Sequence, residues 1–325
     1  MYESNNIKEV SLTSIFSKLI EVAQENNILD SGKNVMELPL YFTATKPFMK
    51  NLKNFYSSYN NLISNKKLED YIRKETIDIV EKFTKDLEDT VEEYLNGNIA
   101  SAYNCFTKAI SPIIKKLPIT QVPKDTQLYR MRAEIELTDP KDFYHLPFDK
   151  IHLSKSERFS IEGYPCLYLG YSKRVCELEI SNGSLAKFSV AKPLENILDL
   201  TLNQSNGEKA ISDVDLVTIY PLIASCYIVP FYCRFKETEC RPEQSFFREE
   251  YIIPQLLTLY LKENNNANGS DNINGIIYYS VKDPKLDVKG AGENDLRNIV
   301  LFTKRDEDSN KTYDGNLINK FTITT

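Results

Sequence analysis

The stretch from Arg158 to Ile180 reads RFSIEGYPCLYLGYSKRVCELEI, and its pattern predicts a strand, a turn and a helix in succession. Residues 165–172, PCLYLGYS, form a short apolar run that closes on a turn at Gly170–Ser172. Ser172 can cap a helix over Lys173–Ile180, because its hydroxyl can accept from an orphan N–H of the first turn. On that helix Val175 and Glu179 stand one turn apart and share a face. Glu179 then projects toward the side of the strand that precedes the turn, so Arg158, Tyr168 and Glu179 can converge on one pocket. A carboxylate held unpartnered in a strand-rich interior costs several kcal/mol, which points to function rather than packing for Glu179.

Working outward, the region after residue 118 is strand-rich. Pro118, Pro123 and Asp125 punctuate the change, and LYRMRAEIEL (128–137), LAKFSV (185–190), NILDLTL (196–202), GIIYYSV (275–281) and NIVLFTK (298–304) read as strands. YIIPQLLTLYLKEN (251–264) reads as a helix, and the polar run Glu263–Asn274 as a mobile loop. Residues 1–118 read as helical. Leu12, Ile15, Phe16, Leu19, Ile20 and Ala23 recur at helical spacing after Ser11. A helix over Leu68–Leu95 carries Ile72, Ile79, Phe83, Leu87, Val91 and Tyr94, and ends at Asn96-Gly97. Another runs from Ile99 to Leu117, kinked or split by Pro112. The expected organisation is α+β: a helical region over 1–118, then a mixed β core with flanking helices over 119–325.

Composition excludes much. The chain has 325 residues, 40 basic against 46 acidic and a net charge of −6, which argues against binding a phosphate backbone. Its two histidines, His145 and His152, have no visible orienting group and read as structural or surface residues, and a histidine-cluster metal site is excluded. The six cysteines form no CxxC pair and read as reduced, buried thiols of a cytoplasmic protein, with no metal bound. The first twelve residues lack a basic-then-apolar leader pattern. The uncharged run Leu216–Cys233 is broken by Pro221 and Pro230 and is read as buried strands or short buried segments, not a membrane span. P-loop, GxGxxG, HExxH and GxSxG motifs are all absent.

The segment around Arg158–Glu179 resembles the RES domain, a family named for its Arg, Glu and Ser. The family pattern has an early Arg after an aromatic residue, an Arg-aromatic pair, a G-x-P-x-x-Y-L-A-x-S strand and turn, and a Glu on the next helix. Tyr129-Arg130, Arg158-Phe159, Gly163 to Ser172 and Glu179 follow that order, with Gly170 where the family often has Ala. Glu250–Leu257, Gly275–Ser280 and Asn298–Phe302 resemble the longer members, and Ser280 matches the family serine. The resemblance covers roughly 126–304 and leaves the N-terminal 118 residues outside.

What it implies is an ADP-ribosyltransferase-like fold that takes NAD as substrate, without a further cofactor, and breaks its nicotinamide–ribose bond, with water or, in some relatives, phosphate as the acceptor. It also implies a bacterial toxin restrained by a cognate antitoxin. In that role Glu179 stabilises an oxocarbenium-like ribose, Arg130 and Arg158 hold the pyrophosphate, Tyr168 stacks on nicotinamide and Ser280 hydrogen-bonds its carboxamide. The alternative is an ADP-ribosyltransferase acting on a macromolecule, because Glu177 and Glu179 form a Glu-x-Glu pair similar to that of protein-modifying enzymes. On a helix two such residues point about 200° apart, whereas on a strand they share a face. A third reading is a non-enzymatic nucleotide-binding interaction protein. The N-terminal helices can pack on each other, on the NAD domain or on a second copy, so a homo-oligomer stays open.

Overall fold

The computed structural model of the chain describes residues 22–23, 47–68, 72–202, 211–240, 247–267, 272–282, 295–305 and 312–325. They divide into two compact units. The first takes the described residues through Lys116 together with 211–224; the second takes Leu117 to Leu202 and the described residues from Ser225 to Thr325. The helix expected over Leu12–Ala23 lies outside the described residues except for Val22 and Ala23, which are helical.

In the first unit α1 (Phe48–Ile63) buries Leu52, Phe55, Tyr56, Tyr59, Leu62 and Ile63. α2 (Lys74–Leu95) begins later than its periodicity suggests, after a short 3₁₀ turn at Lys66–Leu68. Its buried stripe runs through Val80, Phe83, Leu87 and Val91, while Ile79 faces solvent at 45% exposure. The stripe therefore follows the positions three and four apart that include Val80, not Ile79. Gly97, with φ of +81°, closes the helix in the left-handed region where a side chain would be strained. α3 (Ile99–Ile110) stops just before Pro112, and a separate 3₁₀ turn covers Ile114–Lys116.

The uncharged run read as strands is helical: α5 (Asp213–Cys226) and α6 (Ile228–Cys240). A run apolar on every side has no period to separate a buried helix from a buried strand, and length decides for the helix. Pro221 stands inside α5. Within the first unit Tyr59 donates to the Val217 carbonyl at 2.9 Å and stacks on Tyr220, and Lys116 pairs with Asp215. Val214–Arg234 is long and apolar enough to cross a bilayer, and 94% of its most apolar window is buried inside the protein.

The second unit is built on an eight-stranded mixed sheet. Its strands are β1 (Ile119–Val122), β2 (Gln127–Arg132), β3 (Cys166–Gly170), β4 (Ser184–Val190), β5 (Leu194–Asp199), β6 (Gly275–Tyr279), β7 (Arg297–Phe302) and β8 (Phe321–Thr324). They lie in the order β1-β5-β6-β7-β3-β2-β4-β8, with β5–β6 parallel and the other pairs antiparallel. Leu128, Leu167, Leu169, Phe188, Ile277 and Ile299 anchor the core on one face. β2 is shorter than expected: it ends at Arg132, paired with Ser184, the first residue of its partner β4. The chain flanks the sheet with α4 (Lys173–Glu179), α7 (Ile252–Ala267) and α8 (Gly315–Ile318). α7 runs through Ala267 and so takes in the first five residues, 263–267, of the polar run expected to be loop.

Candidate active site

The cavity follows from a gap in the sheet. β2 meets β3 at a single pair, Tyr129 with Gly170. The ladder is not continued, and Arg130, Met131, Tyr168 and Leu169 instead line a cavity of about 660 Å³. Sites for cofactor-sized ligands span roughly 300–1,000 Å³.

Local sequence chemistry sets each side chain in place. Ser172 is the N-cap expected: its Oγ accepts from Val175 N–H at 3.1 Å and donates to the Asp295 carbonyl at 2.6 Å. α4 can lie against β3 because Gly170 has no side chain; a Cβ there would stand 2.4 Å from Val175 Cγ1 and 2.8 Å from Cys176 Sγ. The helix carries Glu179 to the cavity wall. Glu179 is exposed there and partnered, not held unpartnered in the interior as its strand-rich setting suggested, because it stands at the last turn of the helix; Glu177, on the same helix, is also exposed and is not part of that wall.

Arg158 is buried, and its Nη1 donates to the Tyr279 carbonyl at 2.9 Å while the guanidinium lies 5.0 Å from the Tyr278 ring centre. Its Nε has no hydrogen-bond partner. Arg130 is likewise left with a buried, unpartnered Nη1, and burial, with Arg132 beside it, lowers its affinity for its proton to a pKa of about 10. Orphaned buried donors cost free energy that an anionic ligand relieves. Tyr168 donates to Ser160 Oγ at 2.9 Å, and burial holds its phenol well above the ordinary range.

Ser280 takes a different place from the one expected. Its Oγ donates to Glu179 Oε1 at 2.8 Å and accepts from Lys282 N–H at 3.1 Å, and it is not in the cavity wall. It orients the carboxylate. Lys282 Nζ stands 3.7 Å from Glu179 Oε2, and burial lowers the lysine's pKa, with Arg234 and Arg248 pushing the same way against Glu179. Arg130, Arg158, Tyr168 and Glu179 thus meet at one cavity, with Ser280 behind Glu179.

Lys282, Arg234, Arg248, Tyr251, Asn298 and Glu157 also line the cavity and were not singled out from the sequence. Glu157, next to Arg158, carried the nearest signal; the others reach the site from distant segments. His145 is buried, its Nδ1 donating to the Leu146 carbonyl and its Nε2 accepting from Asp314 N–H, so it serves the fold. His152 is exposed. Cys105, Cys166, Cys176, Cys226 and Cys233 are free thiols, and no group of metal-ligating side chains occurs among the described residues.

Comparison with known proteins adds a distant relative. The chain is 28% identical over 255 residues to a Bacillus subtilis (strain 168) protein named "Putative toxin YopC", covering 72% of this chain and 55% of that protein. The chain thus spans about half the length of the curated relative it matches. No family model and no solved structure matches. The similarity is to a protein named as a toxin, in keeping with a toxin-like chain, and its name is silent on chemistry.

Proposed function

We propose that the cavity binds NAD and that the chain cleaves its nicotinamide–ribose bond, acting as an NAD-consuming toxin or defence effector of the RES type with an ADP-ribosyltransferase-like core. The observation that carries this reading is the meeting of Arg130, Arg158, Tyr168 and Glu179 at one cavity of about 660 Å³. The two arginines with unpartnered buried nitrogens suit the pyrophosphate, since guanidinium donors form strong charge-assisted bonds to phosphate oxygens.

The chemistry needs little from the protein. Nicotinamide leaves as a neutral base, so the barrier lies in the positive charge that develops on the ribose. A carboxylate held ready beside that charge stabilises the transition state more than the ground state. Glu179 suits that task because Ser280 and Lys282 hold its carboxylate at the cavity wall. The Tyr168 ring offers a face for the nicotinamide.

The helical setting of Glu179, with Glu177 exposed outside the cavity wall, favours glycohydrolase-type cleavage over a Glu-x-Glu protein modifier. A toxin of this activity acts inside a cell and requires a restraining partner in its producer, which places a cognate antitoxin among the proposed partners. The test is mass analysis after incubating purified protein with NAD. Nicotinamide with a free ADP-ribosyl product supports the reading; a mass increase on an added protein target, with no free product, replaces it with macromolecular transfer.

A further inference from the structure

Glu157 is a second carboxylate in the cavity wall that the proposed chemistry leaves unused. Its backbone is fixed on both sides. The N–H donates to the Ser160 carbonyl at 2.9 Å, and its own carbonyl accepts from Ser160 N–H at 3.3 Å and from Gln255 Nε2 at 2.9 Å. Gln255 also holds Ser156 Oγ at 2.8 Å. The carboxylate itself makes no hydrogen bond or ion pair among the described residues. Facing it electrostatically are Glu179, Lys282, Arg248 and Lys155, with the phenols of Tyr168, Tyr251 and Tyr278. The residue is exposed, yet the protein around its carboxyl first, and then the Glu179 charge, hold it above the usual carboxylate range, with the three cations opposing.

The other two carboxylates of the cavity wall are occupied. Glu179 is bonded to Ser280 and paired with Lys282. Glu134 accepts from the Arg132 guanidinium through both carboxylate oxygens at 3.3 Å. Both ring nitrogens of His145 are in hydrogen bonds. A carboxylate with free lone pairs, on a backbone fixed at the cavity wall and distinct from the one that stabilises the ribose cation, has the attributes of a base for an incoming nucleophile.

We propose that Glu157 is the general base that takes a proton from an attacking water, which makes water the acceptor. This rests on the NAD reading above. The bond between C1′ and the nicotinamide nitrogen breaks and its electron pair returns to the ring nitrogen, which leaves neutral. The water oxygen bonds to C1′, and one water proton passes to the Glu157 carboxylate and on to solvent. NAD and water thus give nicotinamide, ADP-ribose and one proton. Inorganic phosphate, already an anion, would need no such base.

The experiment uses the full chain with NAD, following nicotinamide release, the pH profile of kcat and the product masses, with azide as an anionic nucleophile that needs no deprotonation. Glu157→Gln is expected to lower kcat by about tenfold to a hundredfold with KM little changed, the range of a lost general base. Azide should restore nicotinamide release in that variant and yield an ADP-ribosyl azide. Glu157→Asp, which keeps the carboxylate, should retain the acid limb of the profile that Glu157→Gln loses. Wild-type kcat in a folded Glu157→Gln protein overturns the proposal, as does a loss that azide leaves unrelieved, or an ADP-ribosyl phosphate as main product when phosphate is present. If the unsubstituted protein releases no nicotinamide at all, the NAD reading has failed and this proposal with it.

Discussion

At the scale of single residues the site sets two arginines with buried, unpartnered nitrogens on the same cavity as the exposed Glu179. Arg158 binds the Tyr279 carbonyl and the Tyr278 ring with one planar group, and a lysine cannot satisfy both. Arg158→Lys should weaken binding of NAD or a non-cleavable analogue by about 1–3 kcal/mol, the value of a charged hydrogen bond. Calorimetry with the analogue checks this, and an unchanged dissociation constant would remove Arg158 from the phosphate site. His145 makes a second prediction. Burial lowers its pKa below the unfolded value of about 6.5. Its contribution is therefore full above about pH 6.5 and is lost as pH falls through the lowered native value. Protonation at Nε2 ends its bond from Asp314 N–H, and Asp314 caps α8 and holds Lys304 N–H. Melting temperature should fall between pH 7 and 5, and His145→Gln should flatten that slope.

At the scale of elements the fold turns on the close approach of β3 and α4. Gly170→Ala places a methyl group 2.4 Å from Val175 Cγ1, so α4 must move. Overpacking of this kind costs about 1–3 kcal/mol. The expected outcome is a lower melting temperature together with reduced activity, because α4 carries Glu179; unchanged values in both would mean the helix yields freely. The strand–turn–helix was legible because its signals are local: a short apolar run, a capping serine and a carboxylate one turn beyond Val175. Residues 216–233 were misread because an apolar run without a polar face carries no period. The early end of β2 was hidden because it is set by where its partner β4 begins, at Ser184, and that pairing is long-range. Arg130, Arg158, Tyr168 and Glu179 were found through a motif, whereas Arg234, Arg248 and Lys282 reach the cavity through long-range topology that no local pattern encodes. Ser280 was found, but its orientation toward Glu179 depends on where β6 ends.

At the scale of the whole molecule the two units are not a simple N-terminal and C-terminal pair, since residues 211–224 group with the first helices. A truncation starting at Pro118 would strip α1–α3 from Val217 and Tyr220. The fragment is expected to be insoluble or aggregated by light scattering. A soluble, monomeric fragment that cleaves NAD at the full-length rate would show that the first unit supports neither folding nor activity. The central claim, that this cavity cleaves NAD through Glu179, is tested most directly by nicotinamide release from NAD by the purified full chain beside its Glu179→Gln variant. Release by the unsubstituted protein is expected, with a loss of at least about tenfold in an equally stable variant, since a preorganised charge of this kind contributes several kcal/mol. Equal release by the two proteins, or none from a well-folded chain, would contradict it.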